Sequence, residues 1–475
     1  MSGVMRQLAA LCCFLLVSAS ALAAVDTARL DAAIAASGLP RSSLSLFAAP
    51  SGDGHPPLIS LNAHQSLMPA SVTKLVTAAA VLKQIPLNTR FETRLESSAT
   101  VVNGVLTGDL VLRGGGDPSF VSETLWLLVN RLAGMGVTGI AGDILVDDGY
   151  FDTVLIDPSR DTERSEMAYD APVSATSFNW NAVAVTIKPG GEAGAPARVG
   201  VEPHSDYVQV DNRVRTVPGH SLSHLKLTRK SLPGKGDLIA ASGTIGVDAP
   251  PYESYRNITK PALWVGHNLA LYLRYRGIRF NGAIRPGNVP PETWLLASVD
   301  GRPVEQLVKD MNKVSSNFIA EMLTKQLAAR TDVPGTMADG MAIIHDYLRA
   351  LGVNASEFRL TNPSGLTQQN RLSAHALVKV LEDMAHDFRL NHEYLSSLPI
   401  AGVDGTLEKR MTASPARGWV RAKTGYIDGV VSLAGYAGQR HGDPIAFAFI
   451  YNGPAPAHQV HRLFDQLSTL LVAAD

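Results

Sequence analysis

Helical periodicity occupies both ends of this chain and is missing from the long stretch between them, and that interruption limits the architectures open to it. Near the start, Asp26 to Ser37 reads as a helix, Ser43 to Ala48 and Leu58 to Asn62 read as strands, and a second helix opens near Ala70. Val72, Leu75, Val76, Ala79 and Leu82 fall at i, i+3, i+4, i+7 and i+10, so one stripe of that helix is expected to face a core. From Phe91 to Val299 the texture changes to short β-like runs such as Val101 to Leu106, Asp109 to Arg113 and Ala182 to Lys188, cut by glycine and proline. Gly190 to Ala197 reads as an exposed loop within that region. Helical spacing returns over Val304 to Leu327. The chain closes with strands at 418–424, 430–438 and 444–452, then an amphipathic helix through Val460, Leu463, Phe464, Leu467, Leu470 and Leu471. An antiparallel meander covered by a helix fits this ending, and the absence of a fixed-period repeat sets aside solenoids and propellers.

A chain of 475 residues is long enough for two or three cores. Its 42 Lys+Arg against 43 Asp+Glu leave a net charge of −1, so no global field favours nucleic acid or an anionic membrane. The first residues read as an export signal: Arg6 as the positive start, Leu8 to Ala19 as the apolar run, and Ala21-Leu22-Ala23 as the cleavage site. Signal residues 1–23 would be removed, leaving a periplasmic chain with at most peripheral membrane association. Both cysteines, Cys12 and Cys13, lie in that segment, and Leu11 before Cys12 disfavours lipidation. The mature chain then has no thiol for a disulfide or thiolate metal site, which suits an oxidising compartment.

Three short motifs follow in order: Ser71-Val72-Thr73-Lys74, Ser315-Ser316-Asn317 and Lys423-Thr424-Gly425. Each is weak alone; Ser223-His224-Leu225-Lys226 is a second Ser-x-x-Lys, and Ser60-Leu61-Asn62 and Ser177-Phe178-Asn179 repeat Ser-x-Asn. Only the first Ser-x-x-Lys opens an apolar-striped helix. Residues three apart share a helix face, so Lys74 can reach the Ser71 hydroxyl and, when neutral, take its proton. Burial and the charge of Lys423 would both lower the Lys74 pKa, as a base requires. The Ser71 backbone N–H has no intrahelical acceptor at the helix start and can form half of an oxyanion hole. The backbone N–H of Tyr426, just after Lys423-Thr424-Gly425, would supply the other half, each donor being worth about 3 kcal/mol. Lys423 and Thr424 offer a cation and a hydroxyl to a substrate carboxylate. Ser315 can shuttle a proton to a leaving amine, and the Asn317 amide can hold both Lys74 and a substrate carbonyl.

This ordered set is the one shared by penicillin-binding proteins and class A β-lactamases. The chain resembles most the low-molecular-mass class C penicillin-binding proteins, the D-Ala-D-Ala carboxypeptidase/endopeptidase family of serine peptidases. The likeness spans nearly the whole mature chain. It includes Gly108-Asp109-Leu110-Val111-Leu112, Gly114-Gly115-Gly116-Asp117-Pro118, Ala171-Pro172-Val173-Ser174-Ala175, Asn362-Pro363-Ser364-Gly365-Leu366, Ala401-Gly402-Val403-Asp404-Gly405-Thr406-Leu407 and Val430-Val431-Ser432-Leu433-Ala434-Gly435-Tyr436. The resemblance implies an α/β (α+β) transpeptidase-like core, an antiparallel sheet flanked by helices, formed by residues 24–91 and 302–475. It further implies that residues 92–301, within the gap between Ser71 and Ser315, hold two inserted β-rich domains, the inner one at roughly 176–245. It implies carboxypeptidase and endopeptidase action on peptidoglycan stem peptides ending in D-Ala-D-Ala, with β-lactam antibiotics as ligands and no cofactor. Tyr426 departs from the small hydroxyl residue common at its place, as does Asn362-Pro363 from the usual acidic residue and glycine; Tyr426 keeps its backbone donor and bears on substrate preference, not on reaction type.

Other motifs read as structural. The glycines of 114–116 lack the lysine and spacing of a nucleotide loop and suit a tight turn. His392-Glu393 lacks the second histidine of a metalloprotease helix, the remaining histidines lack ligand spacing, and no metal is expected. No Gly-x-Ser-x-Gly elbow occurs. Ser364, Asp404 and Thr406 read as supports of the cleft. Two rival functions are a β-lactamase, against which the insertion argues, and a non-catalytic cell-wall scaffold, against which the complete motif set argues.

Overall fold

A computed structural model describes residues 26–51, 56–160, 165–221, 224–287, 289–440 and 443–472. The expected export signal at 1–23 lies outside them. Among the described residues no helix is long and apolar enough to cross a membrane.

The two ends of the chain meet in one five-stranded antiparallel sheet. Its order is Ile59–Leu61, Leu44–Pro50, Ile445–Asn452, Val430–Ala437, Val420–Ile427. The inner strand Val430–Ala437 is buried throughout. This follows from its composition, since both faces of the sheet are covered. On one face lie the helices Thr27–Ala36 and Ala457–Val472, whose Leu30, Ile34, Val460, Phe464 and Leu467 join Phe447, Phe449 and Leu433 in one core. On the other face lie Thr73–Gln84, Val304–Lys313, Asn317–Ala329, Met337–Ala350 and Ala374–His386 around a second core.

The sequence predicts one buried stripe on the helix that follows Ser71. Instead every residue from Thr73 to Leu82 is buried. Its outward positions are Thr77, Ala78 and Ala80, small enough for neighbouring helices to close over them, so the helix runs through the lobe. The helical stretch over 304–327 is likewise not continuous: it breaks between Lys313 and Asn317. There the Ser316 N–H bonds to the Met311 carbonyl at 2.9 Å and Ser315 takes a φ of +59°. This is a left-handed helix stop, with serine where glycine is usual.

Between Glu92 and Asp300 the chain builds a mixed five-stranded sheet, a small four-stranded sheet and two three-stranded sheets around a third core. It also contains two long helices, Ser122–Gly134 and Pro261–Tyr275, and several parallel strand pairs. The region is therefore less exclusively β than its texture suggests, because buried Leu125, Leu128, Val129 and Leu132 carry a helical stripe among the short apolar runs.

Candidate active site

The turn that presents Ser71 is held by two side chains of the sheet. Asn452, at the end of a central strand, accepts from the Met68 N–H at 2.8 Å and donates to the Met68 carbonyl at 3.0 Å. The Ser432 hydroxyl donates to the Pro69 carbonyl at 2.6 Å. Ala70 then takes a φ of +50°, a strained conformation for a residue with a β-carbon, and Ser71 follows in a 3₁₀ turn that runs into the Thr73–Gln84 helix. Two glycines let backbone approach this turn. A β-carbon on Gly425 would lie 2.1 Å from Ser432 Oγ and 2.9 Å from the Ser71 nitrogen; one on Gly365 would lie 2.0 Å from the Ala70 carbonyl oxygen.

Lys74 projects from the first helical turn into full burial. Its Nζ lies 3.1 Å from Ser71 Oγ, 2.7 Å from Asn317 Oδ1 and 2.6 Å from the Ser364 carbonyl oxygen. Burial first, and then the charge of Lys423, hold its pKa well below the ordinary lysine value; Glu321 opposes and Arg160 assists. The three contacts differ in what they can be. The two short ones end on pure acceptors, so a neutral amine spends both N–H groups there. Its lone pair then faces the longest contact, the Ser71 hydroxyl.

Lys423 sits fully buried on the edge strand Val420–Ile427, and burial brings its pKa down to about 7. It donates to Ser315 Oγ at 2.8 Å and to the Thr424 carbonyl at 2.7 Å. Ser315 thus stands against Lys423, and Asn317 against Lys74. Thr424 donates to Thr406 Oγ1 at 2.8 Å, and Lys313 binds both carboxylate oxygens of Asp404, at 2.8 and 2.7 Å. Thr406 and Asp404 therefore brace the strand and the helix end that carry the site.

The backbone donor at Tyr426 follows from strand geometry. The Ala422 N–H points out of the sheet, bonding the Pro399 carbonyl at 2.9 Å. Amide groups two apart along a strand point the same way, so the N–H groups of Thr424 and Tyr426 also face the open edge. Gly425 brings that edge against Ser71. The Tyr426 side chain is exposed.

Several contributors carry no sequence signal of their own. Asn317 Nδ2 donates to the Tyr169 carbonyl at 3.0 Å, which ties the site to the long inserted stretch. Behind Lys74, Arg160 grips the Glu321 carboxylate, with Nε 2.9 Å from Oε1, and also donates to Asp170 Oδ1 at 3.0 Å. Asn362 joins the group through Asp157 at 3.1 Å and Glu321 at 3.2 Å. Glu321 lies one helical turn beyond Asn317, an i,i+4 relation that the sequence does contain. Beside Ser315 and Asn317 opens a cleft of about 1230 Å³ reaching Tyr169, Trp180 and Tyr255. The histidines are not all isolated either: His64 and His375 converge on Glu357, away from Ser71.

The profile of the D-Ala-D-Ala carboxypeptidase 3 (S13) family matches residues 26–471. A D-alanyl-D-alanine carboxypeptidase from Actinomadura sp. (strain R39) is 32% identical over 417 residues, 84% of this chain and 76% of that protein. D-alanyl-D-alanine carboxypeptidase DacB from Haemophilus influenzae is 26% identical over 395 residues, 82% of each chain. The crystal structure of penicillin binding protein 4 (dacB) from Haemophilus influenzae has the same fold, with a TM-score of 0.79 at 23% identity over 94% of this chain and all of that one.

Proposed function

The chain belongs to the D-Ala-D-Ala carboxypeptidase 3 (S13) family of serine-type hydrolases, and on that premise we propose that Ser71 is its nucleophile in a two-step acyl transfer on peptidoglycan peptides. Ser71 Oγ attacks the carbonyl of the penultimate D-alanine while neutral Lys74 takes the hydroxyl proton. The Ser71 and Tyr426 amides receive the oxyanion. Charged Lys423, with Thr424, holds the terminal carboxylate, and Ser315 relays a proton to the departing amine. Asn317 keeps Lys74 in place and retains one N–H for the substrate. Water then cleaves the acyl-enzyme. The observation that carries this reading is the buried Lys74 amine, 3.1 Å from Ser71 Oγ, with its other two contacts on pure acceptors.

The same geometry serves cleavage of D-alanyl cross-links, the endopeptidase activity we assign alongside the carboxypeptidase. Stem peptides ending in D-Ala-D-Ala are the proposed substrates and β-lactams the proposed acylating inhibitors. Nothing in the charge balance favours nucleic acid as a partner. We further propose export to the periplasm after loss of residues 1–23. Residues 24–91 and 302–475 would form the catalytic domain around an inserted pair of domains, a division supported by the separate core between Leu95 and Val299.

Intact-protein mass spectrometry after incubation with penicillin tests the reading. A persistent adduct on the wild type that is missing from Ser71→Ala is expected. Rapid clearance of the adduct would favour a β-lactamase, and no adduct at all would favour a non-catalytic scaffold.

A further inference from the structure

Away from the Ser71 cleft, two histidines from distant parts of the chain aim the same ring atom at one carboxylate oxygen. His64 Nδ1 and His375 Nδ1 each lie 3.0 Å from Glu357 Oε1. All three ligand atoms fall within 4.8 Å of one another, and the two imidazole centroids are 4.3 Å apart. The Ser373 hydroxyl donates to the same oxygen at 2.8 Å. Three donors on one oxygen exceed its roughly two lone-pair positions. The arrangement is crowded as a set of hydrogen bonds. It is natural as a ligand set, because removing the two Nδ1 protons turns three inward-facing atoms into three lone pairs.

Backbone contacts, not these side chains, build the frame. The His375 N–H bonds the Ala63 carbonyl at 2.9 Å, the Ser373 N–H bonds the Glu357 carbonyl at 2.9 Å, and Leu67 and Leu372 bond each other in both directions at 2.9 and 3.1 Å. The Phe47 ring stands edge-on to His375 at 5.5 Å, fixing one face of that imidazole. Glu357 is 6% exposed and already held by Ser373, as a supporting hydrogen bond orients a metal-binding carboxylate. His64 is 69% exposed, which gives an ion a route in and leaves its remaining coordination to water.

We propose that His64, Glu357 and His375 form a binding site for one divalent transition-metal ion, zinc above all. Two imidazoles and one carboxylate are the donor types zinc accepts, and calcium or magnesium would call for a set of oxygens. On loading, each neutral imidazole moves its proton from Nδ1 to Nε2 through solvent, and the Glu357 carboxylate stays ionised. His64 stands seven residues before Ser71, so the ion would fasten the segment that leads to the nucleophile turn onto the Ala374–His386 helix.

The test is zinc titration of the chelator-stripped full chain by calorimetry, with X-ray absorption on the loaded protein. One ion per chain with nitrogen and oxygen ligands is expected. His64→Ala and His375→Ala should each weaken binding at least tenfold. The zinc-dependent rise in Tm should also vanish in both. Far-UV circular dichroism establishes that each variant is folded, and His461→Ala, which removes a histidine one helical turn from His458 on another helix, serves as control. No saturable binding to the wild type, undiminished binding in both folded variants, or loss of binding only in His461→Ala would each overturn the proposal.

Discussion

Arg160 and Glu321 form a buried ion pair immediately behind Lys74, each side chain only 1% exposed. Breaking a buried pair costs about 3–5 kcal/mol when the other charge is stranded, and because Arg160 keeps Asp170 at 3.0 Å after Glu321 is removed, the cost here falls at the lower end of that range. Glu321→Gln is therefore expected to lower the unfolding free energy by roughly that amount in denaturant titrations. It also removes the one anion that raises the Lys74 pKa. The alkaline-going limb of the penicillin acylation rate should accordingly begin at lower pH in the variant. A variant that loses stability with an unmoved pH profile would mean that Glu321 acts on the fold alone.

The φ of +59° at Ser315 separates two effects that one substitution would merge. Alanine and glycine both delete the hydroxyl that Lys423 holds at 2.8 Å, and both should cut acylation by a factor of about 10²–10⁴ if Ser315 relays protons. Only glycine relieves the clash of a β-carbon in a left-handed backbone, which is worth about 1 kcal/mol. Ser315→Gly should thus unfold later than Ser315→Ala by that margin, at comparable activity. Equal stabilities would deny that strain is stored there.

What was legible in the sequence was what local spacing and order could carry. Ser71 and Lys74 sit one helical turn apart, and Lys423-Thr424-Gly425 lies in an alternating strand, so spacing alone carries an expectation of their roles. The helices and strands of the two terminal portions were also readable from their periodicities, whereas their union in one lobe was implied only by the family resemblance. The Ser364 carbonyl, Tyr169 and Glu357 were not legible as site partners. Lys74 meets Ser364 across 290 positions, Asn317 meets Tyr169 across 148, and His64 meets Glu357 across 293. Such pairs are made by packing, and the contacts to Ser364 and Tyr169 are both to backbone carbonyls, which every residue possesses. The helices of the inserted region were lost for a different reason: short strands and abundant glycine on either side drown a stripe of three or four turns.

Gly425 lets the edge strand lie against the Ser71 turn. Alanine there would place its β-carbon 2.1 Å from Ser432 Oγ and 2.9 Å from the Ser71 nitrogen, and both neighbours belong to backbone-anchored elements. The strand must move outward, carrying the Tyr426 amide away from the oxyanion position. Losing one such donor costs about 10²–10³ in rate. Gly425→Ala should therefore depress the acylation rate constant far more than apparent penicillin affinity in stopped-flow measurements. An equal loss in both would instead place the damage in ligand binding.

The two buried lysines set opposing pH demands. Lys74 must be neutral to take the Ser71 proton, and burial and the Lys423 charge hold its pKa well below the usual lysine range, so the base form appears at lower pH than for an ordinary lysine and grows as pH rises. Lys423 must be charged to hold a carboxylate, and its pKa is about 7 in the free protein, so capture weakens as pH rises through that value. The profile of kcat/KM for a D-Ala-D-Ala peptide should consequently be bell-shaped, its falling limb reporting Lys423. Once bound, a substrate carboxylate stabilises the Lys423 charge and moves its pKa upward. The falling limb of kcat should then lie at higher pH than that of kcat/KM. A C-terminally amidated peptide supplies no such anion, and with it the two limbs should coincide. Coincident limbs for the free acid as well would mean that Lys423 does not meet the carboxylate.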